Sequence, residues 1–382
     1  MKDLARLKQH IDLLDYLRGV AIIGIFLFHC LGASYGVREF GWNGLFRDFS
    51  VPGHFLLLYP VTLARLGVAI FFVISGFCIY LSFSRDGTND FRIFFTRRFF
   101  RLYPPYLCVL LFFALVWPPT SRLILKSFSD FVPLLSHLLL VQNFDPTFFR
   151  SNPPLWTMAV EAQLYVLFPL LLVLVRKWSW PRTLWLLALI ECALRAGAGI
   201  YFTSTGKPAP VFLKWLPFFF WFSWSLGAAI ADAYSQNRAM PFQKSSCLLW
   251  AGAVIIASVV KPFSYFMFLF VSLLTGTVIA KVLSGSFSSF RLRIPRLLLE
   301  HVRTAGLWSY SIYLIHFPLI YYFSSIGRKV LPAPFCDPPW FFVICVLSWF
   351  LIMPIGGVFN KYVESLGIML GRKFMEKRLQ AH

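Results

Sequence analysis

Long apolar stretches, most of them close to the twenty or so residues that cross a bilayer as a helix, alternate with short polar and basic segments along the chain. Their lengths and flanking turn or charged residues predict ten membrane spans. These lie at about 13–33, 64–84, 103–119, 158–176, 183–203, 214–234, 247–260, 264–284, 306–326 and 340–360. Only Lys261 and Pro262 separate the seventh span from the eighth. A further stretch, 131–144, is too short and polar to span easily, and we interpret it as re-entrant or interfacial.

The distribution of basic residues predicts the orientation of these spans. Of the 36 Lys and Arg residues, 23 lie in segments on the same side as the N-terminus and 11 on the opposite side. Because basic residues favour the cytoplasmic side, both termini are expected there. The prediction is an all-α fold, a polytopic transmembrane helical bundle of about ten spans. It is a single membrane domain over 1–382, with spans at roughly 13–360, a basic cytoplasmic tail at 361–382 and no internal repeat.

Composition supports a polytopic membrane protein rather than a soluble domain, with 58% hydrophobic and 14% charged residues and a mean hydropathy of +0.69. A net charge of +20 would suit nucleic acid, but basic loops in a membrane protein are explained first by orientation and anionic lipid. We therefore expect a bilayer as partner and no nucleic acid. The seven cysteines show neither CxxC nor Cys/His spacing, so neither a disulfide framework nor a metal site is predicted. The polar start runs directly into a full-length span, so no cleavable signal peptide is expected.

The first span carries two ionisable side chains whose burial in a membrane costs free energy. Arg18 and His29 are eleven residues apart, which places them on one helical face at about 16 Å separation. Asp15 lies on nearly the same stripe. Such a face indicates an inward-facing site. The alternative is that Arg18 extends to the interface and His29 is a hydrogen-bonded bundle histidine, and the residues alone leave both interpretations open.

The start of the third span carries a second candidate. Arg98 and Arg101 are three apart, hence neighbours on one helical face, just before Tyr103-Pro104-Pro105. Guanidinium groups match phosphate oxygens, so the pair suits a phosphate ligand. The alternative is that both arginines only anchor the helix on the cytoplasmic side.

Three later spans contain weaker signals. Ser75-Gly76 in the second span predicts a close helix contact. Glu161 at the outer end of the fourth span is either an interfacial charge or part of a polar cavity reached by an acceptor. Tyr313 and His316 in the ninth span fit a hydrogen bond between helices at least as well as catalysis.

Six motifs occur along the chain in the order LDYLRG with an Arg-x10-His spacing, GVAIFFVISGF, Arg-x2-Arg with LYPPY, LWTMAVEAQLYVLFP, SYSIYLIHFP and NKYVESLGIMLGRK. In this order the chain resembles the acyltransferase-3 family of integral membrane acyltransferases over nearly its whole length. The resemblance implies a ten-span core that takes an acyl group from cytoplasmic acyl-CoA and acylates an acceptor at or beyond the outer face. The acceptor is commonly a surface polysaccharide, lipopolysaccharide or peptidoglycan.

The functional residues of that family map here to Arg18, His29, Arg98 and Arg101. The chain departs from the family pattern after Glu161, where Ala162 stands in place of a frequent second acidic residue, so a second carboxylate is not expected to act. Some members carry an extracytoplasmic hydrolase-like domain, and this chain is expected to act without one or with a partner.

The expected function is therefore O-acylation, with acetyl the expected acyl group, of a cell-surface or exported glycan by a multi-pass protein of a bacterial cytoplasmic (inner) membrane. His29 is the expected general base, because the pKa of histidine lies near the operating pH. Arg98 and Arg101 are expected to hold the phosphates of CoA, and Arg18 to act on a phosphate or on the pantetheine arm. Direct transfer needs no enzyme nucleophile, and an acyl-His or acyl-Ser intermediate is the weaker route.

Glu161, Tyr313 and His316 are the expected acceptor-side residues, and no metal is required. Two other classes of function stay open from the residues. One is a transporter whose polar path includes Arg18, His29 and Glu161, although no inverted repeat is visible. The other is a non-catalytic partner in glycan export or assembly.

Overall fold

The computed structural model describes residues 2–36, 55–87, 90–116, 128–144, 152–286 and 295–380. Side chains are described from Asp12 onward, except those of residues 55–56, 86, 115–116, 128–130, 261 and 378–380. These residues are 88% helical and include no strand, so the predicted all-α class is confirmed for them. Residues 117–119 of the predicted third span and 381–382 of the predicted tail lie outside the described residues.

Fifteen α-helices make up the described ranges. They are α1 (Lys2–Tyr35), α2 (Phe55–Leu63), α3 (Gly67–Asp86), α4 (Phe91–Leu111), α5 (Phe128–Leu138), α6 (Trp156–Thr205), α7 (Val211–Lys214), α8 (Trp221–Ser235), α9 (Cys247–Val259), α10 (Met267–Leu283), α11 (Arg296–Leu307), α12 (Ser309–Val330), α13 (Pro338–Leu347), α14 (Trp349–Phe359) and α15 (Ser365–Gln380). Short 3-10 turns join several of them, and π-helical turns follow α4 and α14.

Within the described ranges, five helical segments are long and apolar enough to cross a membrane. They are Asp12–Tyr35, Leu57–Arg85, Pro153–Thr205, Pro262–Leu283 and Pro338–Lys377. The third is 53 residues long, and its helix is interrupted at Ser179, where φ is 65° and ψ is 167°. This interruption falls between the fourth and fifth predicted spans. The predicted number of about ten is not confirmed, because only these five described segments are long enough, and α9, the seventh predicted span, has 13 residues, too few to cross the hydrocarbon core as a helix.

The described chain divides into two compact units. Unit 1 comprises 1–28, 36–87 and 170–307, and unit 2 comprises 29–35, 88–169 and 308–382. Helices α1 and α6 contribute residues to both units, and each unit is considered by itself below.

Unit 1 is built around the crossing of α3 and α8. A Cβ added at Gly76 would lie 1.9 Å from the carbonyl oxygen of Trp224, so the two backbones touch there. The Trp224 indole also donates a hydrogen bond to the Ser75 hydroxyl at 3.2 Å. The prediction that Ser75-Gly76 forms a close helix contact is therefore confirmed, and small residues are what such an approach requires.

Unit 2 packs α4 against α12 and α15. The Tyr310 hydroxyl on α12 donates to the Leu102 carbonyl on α4 at 2.6 Å. On the other side, the rings of Phe100 and Phe374 pack with centroids 5.7 Å apart. Most of the segment predicted as a basic tail is thus helical, as a π turn and α15, and it packs against the helix that carries Arg98 and Arg101.

Candidate active site

Arg18 lies on α1 in unit 1, and a neighbouring carboxylate compensates its charge. Its Nη1 forms an ion pair with Asp15 Oδ1 at 2.9 Å, and its Nη2 contacts Cys78 Sγ at 3.1 Å. The Arg18 side chain keeps 22% of its surface exposed, whereas Asp15 keeps only 4%. Asp15 therefore fixes the direction of the guanidinium, whose remaining donors are suited to an anionic ligand.

Helix α11 touches α1 beside Arg18. A Cβ added at Gly306 would lie 1.8 Å from the Asp15 carbonyl oxygen, and one added at Gly19 would lie 1.9 Å from the Val302 carbonyl oxygen. This contact was not predicted from the sequence. The LDYLRG motif contains Gly19, but its partner Gly306 is identified only once the two helices are seen to cross.

We expect Gly306→Ala to lower the stability of unit 1 by about 1–3 kcal/mol, since the new methyl group has no room and the helices must shift. Gly252→Ala on α9 is the matched control, because nothing lies within 4 Å of a Cβ added there. That variant should be neutral or slightly stabilising. The thermal unfolding midpoints of the two purified variants distinguish them. Equal midpoints would contradict the contact between α1 and α11.

His29 lies in unit 2 against α12. Its side chain is buried, with 6% of the residue exposed. The centroid of its ring is 5.1 Å from those of both His316 and Phe317. Two histidines that are 287 residues apart in the sequence, from position 29 to position 316, are thus brought side by side in a buried environment.

The hydrogen bonding of His316 defines its tautomer. Its Nδ1 lies 2.7 Å from the Tyr313 carbonyl oxygen, which can only accept, so Nδ1 carries the hydrogen. In the neutral ring Nε2 then carries the lone pair. This atom is buried and has no hydrogen-bond partner among the described residues. A buried acceptor of this kind is a place for a hydroxyl or a water to bind.

The residues at the start of α6 are hydrogen-bonded to α12 beside the two histidines. The Tyr313 hydroxyl donates to the Pro154 carbonyl at 3.0 Å and accepts from the Thr157 hydroxyl at 2.9 Å. The Asn152 amide donates to the Leu314 carbonyl at 2.9 Å. Tyr313 therefore has a structural role in holding α12 to the start of α6, in addition to any role toward a substrate.

The two arginines of α4 differ in environment although both lie near the middle of the helix. Arg98 is 9% exposed and lies over the ring of Phe94, with its Cζ 5.8 Å from the ring centroid, whereas Arg101 is exposed. Three residues correspond to 300° of rotation, so the two side chains point about 60° apart. They are neighbours, as predicted, but only Arg98 faces the interior.

Glu161 is linked to this arginine pair through Tyr165, and it also lies close to residues around the histidines. Its Oε1 accepts a hydrogen bond from the Tyr165 hydroxyl at 2.5 Å. Arg98 and Arg101 interact electrostatically with the same hydroxyl. Glu161 also acts electrostatically on Tyr313. Unit 2 therefore brings together all of the predicted site residues except Arg18, which belongs to unit 1.

Sequence reasoning missed a buried carboxylate in unit 2. Glu364 lies in the π-helical turn Asn360–Glu364 and is 6% exposed. It accepts hydrogen bonds from the Ser311 hydroxyl at 2.7 Å and from the Asn360 amide at 2.8 Å. The NKYVES motif contains both Asn360 and Glu364, but its flanking basic residues suggested an exposed tail.

Comparison with known proteins identifies the family. The sequence model of a family described as an acyltransferase domain (Acyl_transf_3) matches residues 11–356. The chain belongs to this acyltransferase family. The resemblance inferred from the six motifs is thus confirmed, and the chain is an acyltransferase, which removes the basis for a transporter or a non-catalytic partner.

Two curated relatives show how far the similarity extends. Acyltransferase MdmB of Streptomyces mycarofaciens is 29% identical over 280 residues, which are 70% of this chain and 70% of that protein. O-acetyltransferase OatA of Staphylococcus aureus is 27% identical over 357 residues, which are 85% of this chain and 54% of that protein. The chain thus spans about half the length of OatA. No solved structure matches.

Proposed function

We propose that this protein is a membrane O-acyltransferase that moves an acyl group, acetyl in the first instance, from cytoplasmic acyl-CoA to a hydroxyl of a cell-surface or exported glycan. The observation that carries the proposal is the buried pair of His29 and His316, in a chain of the acyltransferase family. Similarity to an O-acetyltransferase supports acetyl as the group.

His29 acts as the general base of the transfer. It removes the proton of the acceptor hydroxyl as the oxygen attacks the thioester carbonyl. The carbon–sulfur bond then breaks, and CoA leaves as a thiolate that takes up the proton. The buried setting of His29 supports this role, because it excludes water from a step in which water would compete as acceptor.

His316 positions the acceptor. Its Nε2 carries a lone pair in a buried place without a protein partner among the described residues, and its ring lies beside that of His29. A neighbouring, non-reacting hydroxyl of the glycan that donates to His316 would hold the reacting hydroxyl within reach of His29. Tyr313 acts on the acceptor side as well, since it fixes the orientation of His316 through its carbonyl oxygen.

The donor is held by the arginines. Arg98 and Arg101 contact the phosphates of CoA, and Arg18 contacts a phosphate or the pantetheine arm. Glu161 orients the polar groups around the arginine pair through Tyr165. The short hydrogen bond between Tyr165 and Glu161 supports this role. No step uses a metal ion.

Replacing Arg98 or Arg101 with Ala is expected to weaken acyl-CoA binding by about 10- to 100-fold each, the value of a charge-assisted hydrogen bond. Lys should restore only part of it, because the planar fork is lost. Arg92→Ala, which removes an exposed arginine from the first turn of the same helix, is the matched control. Binding is measured by calorimetry on purified protein. Equal affinities for all three Ala variants would leave the arginines as cytoplasmic anchors.

The proposed setting is a bacterial cytoplasmic membrane, crossed about ten times with both termini in the cytoplasm. The asymmetry of Lys and Arg supports this orientation. It gives acyl-CoA access from the inside and the glycan access from the outside.

Two measurements test the function as a whole. Purified protein supplied with acetyl-CoA and a surface glycan from its host should release CoA, and the glycan should gain alkali-labile acetyl esters detectable by mass spectrometry. Cells lacking the protein should lose the same esters and regain them on complementation. Release of CoA with no change in the glycan esters would support the acyltransferase activity but contradict the proposal that a glycan is the acceptor. Esters on the glycan with no CoA release would contradict the proposal that acyl-CoA is the donor.

A further inference from the structure

Unit 1 contains an apolar groove that the acyl-transfer chemistry does not use. It has a volume of about 440 Å³, in the range of ligand sites, and lies between the second half of α6, α8 and the loop that follows α8. Its apolar lining includes Trp180, Leu184, Trp185, Phe222, Met240 and Phe242. We call it the α6–α8 groove.

One ion pair lies among its lining residues. Asp232 is buried, and both of its carboxylate oxygens are saturated. Oδ1 accepts hydrogen bonds from the Tyr80 hydroxyl and the Gln236 amide. Oδ2 accepts from the Trp180 indole and forms an ion pair with Arg238. The charge of this carboxylate is therefore fully engaged by four donors on three parts of unit 1, which are α3, α6 and the loop after α8.

Arg238 differs from Asp232 in its exposure. Its side chain keeps 54% of its surface exposed, against 4% for the carboxylate. The ion pair uses one nitrogen of a guanidinium group that has five N–H donors. Asp232 thus fixes the arginine at the groove without shielding it from an anion that approaches from outside.

Residues beside the groove mark a membrane–water interface. Tryptophan and basic residues cluster around the break at Ser179: Arg176, Lys177, Trp178, Trp180, Arg182 and Trp185. Tryptophan concentrates at the headgroup level of a bilayer, and basic residues concentrate beside anionic lipid. This composition points to a groove at the level where the headgroup of a phospholipid meets its acyl chains.

We propose that the α6–α8 groove binds one acyl chain of an acidic phospholipid whose phosphate pairs with Arg238. The apolar lining matches the chain, and the exposed arginine together with the surrounding basic residues matches a headgroup with net negative charge. This site is separate from the acyl-transfer chemistry, and the proposal does not depend on it.

The test compares acidic with neutral lipid. The full chain is reconstituted in phosphatidylcholine nanodiscs containing phosphatidylglycerol, and lipids retained after extraction are counted by native mass spectrometry. Wild-type protein should retain one phosphatidylglycerol in preference to phosphatidylcholine. Arg238→Gln should reduce this retention about tenfold or more, since a charge-assisted hydrogen bond is lost. Lys244→Gln, which removes an exposed basic residue of the same loop that does not line the groove, should retain the lipid.

A second variant keeps the charges and fills the groove. Ala188 is a half-buried lining residue, and Ala188→Phe should reduce phosphatidylglycerol retention while the unfolding midpoint in pure phosphatidylcholine stays at the wild-type value. This variant keeps the proposal testable if loss of Arg238 unfolds the protein by leaving Asp232 unpaired. Four results would overturn the proposal: equal retention of both lipids by wild type, equal losses for Arg238→Gln and Lys244→Gln, full retention by Ala188→Phe, or displacement of the lipid by acyl-CoA.

Discussion

Replacing His29 with Ala should reduce acyl transfer by about 10²- to 10⁴-fold, the usual contribution of a positioned general base. Acyl-CoA binding should stay intact, because the proposed contacts to CoA come from arginines and not from the histidine. The measurement is CoA release by purified protein together with the acetyl-ester content of the host glycan.

The His29→Gln variant makes the experiment sharper. Glutamine forms hydrogen bonds but does not accept the proton, so transfer should remain as low as in the Ala variant. His137→Gln is the control, since His137 is another buried histidine of unit 2, and its Nδ1 lies 2.8 Å from the Pro133 carbonyl oxygen. It should lose stability without a loss of turnover per folded molecule. If His29→Gln transfers at a near wild-type rate, His29 is a packing residue and His316 becomes the first candidate base.

The positions of the first two spans could be predicted from hydropathy, although the second segment begins seven residues earlier than predicted, at Leu57 and not at 64. Spans predicted at 13–33 and 64–84 correspond to helical segments Asp12–Tyr35 and Leu57–Arg85. Apolar length decides this, because a bilayer accepts only a backbone that bonds within its own helix. The break between α9 and α10 was also predictable, since the seventh span was predicted to end at 260 beside Lys261-Pro262 and α9 ends at Val259, before a 3-10 turn at Lys261–Phe266.

The candidate site was predictable where one helix determines it. Tyr313 and His316 are three apart, so one face of α12 carries both, and the spacing of Arg98 and Arg101 likewise made them neighbours. The sequence of one helix does not reveal which other segment packs against it. The approach of Gly306 to Asp15, the pairing of His29 with His316 and the burial of Glu364 by Ser311 all depend on contacts between segments far apart in sequence.

Arg195 is an ionisable residue in a predicted span whose contacts are structural, although its position would suggest a functional role. The sequence places Arg195 in the fifth predicted span, where such a residue indicates a site by default. Its guanidinium instead pairs with Glu191 at 2.8 Å and donates to the carbonyls of Phe219 and Tyr265, each at 2.6 Å. Glu191 in turn accepts from the Ser223 hydroxyl at 2.9 Å. Both charged side chains are almost completely buried, and every group points at a protein partner.

Arg195→Ala should therefore destabilise unit 1 by about 3–5 kcal/mol, because it leaves the Glu191 carboxylate buried without its counter-charge. Glu191→Leu should cost a similar amount by leaving the arginine unpaired. The double variant carrying Glu191→Leu and Arg195→Met should recover most of the loss, since a buried pair and apolar residues of similar volume are often close in stability.

Thermal unfolding of the purified variants, with acyl-CoA turnover measured on the folded fraction, separates a structural pair from a functional one. A structural pair lowers the unfolding midpoint in each single variant, restores it in the double variant and leaves turnover per folded molecule unchanged, since none of the proposed catalytic groups contacts it. An Arg195→Ala variant that unfolds at the wild-type midpoint but has lost turnover would show that the pair is functional and not structural. Arg195 would then belong to the substrate path, and the default interpretation of a charge within a span would hold for it.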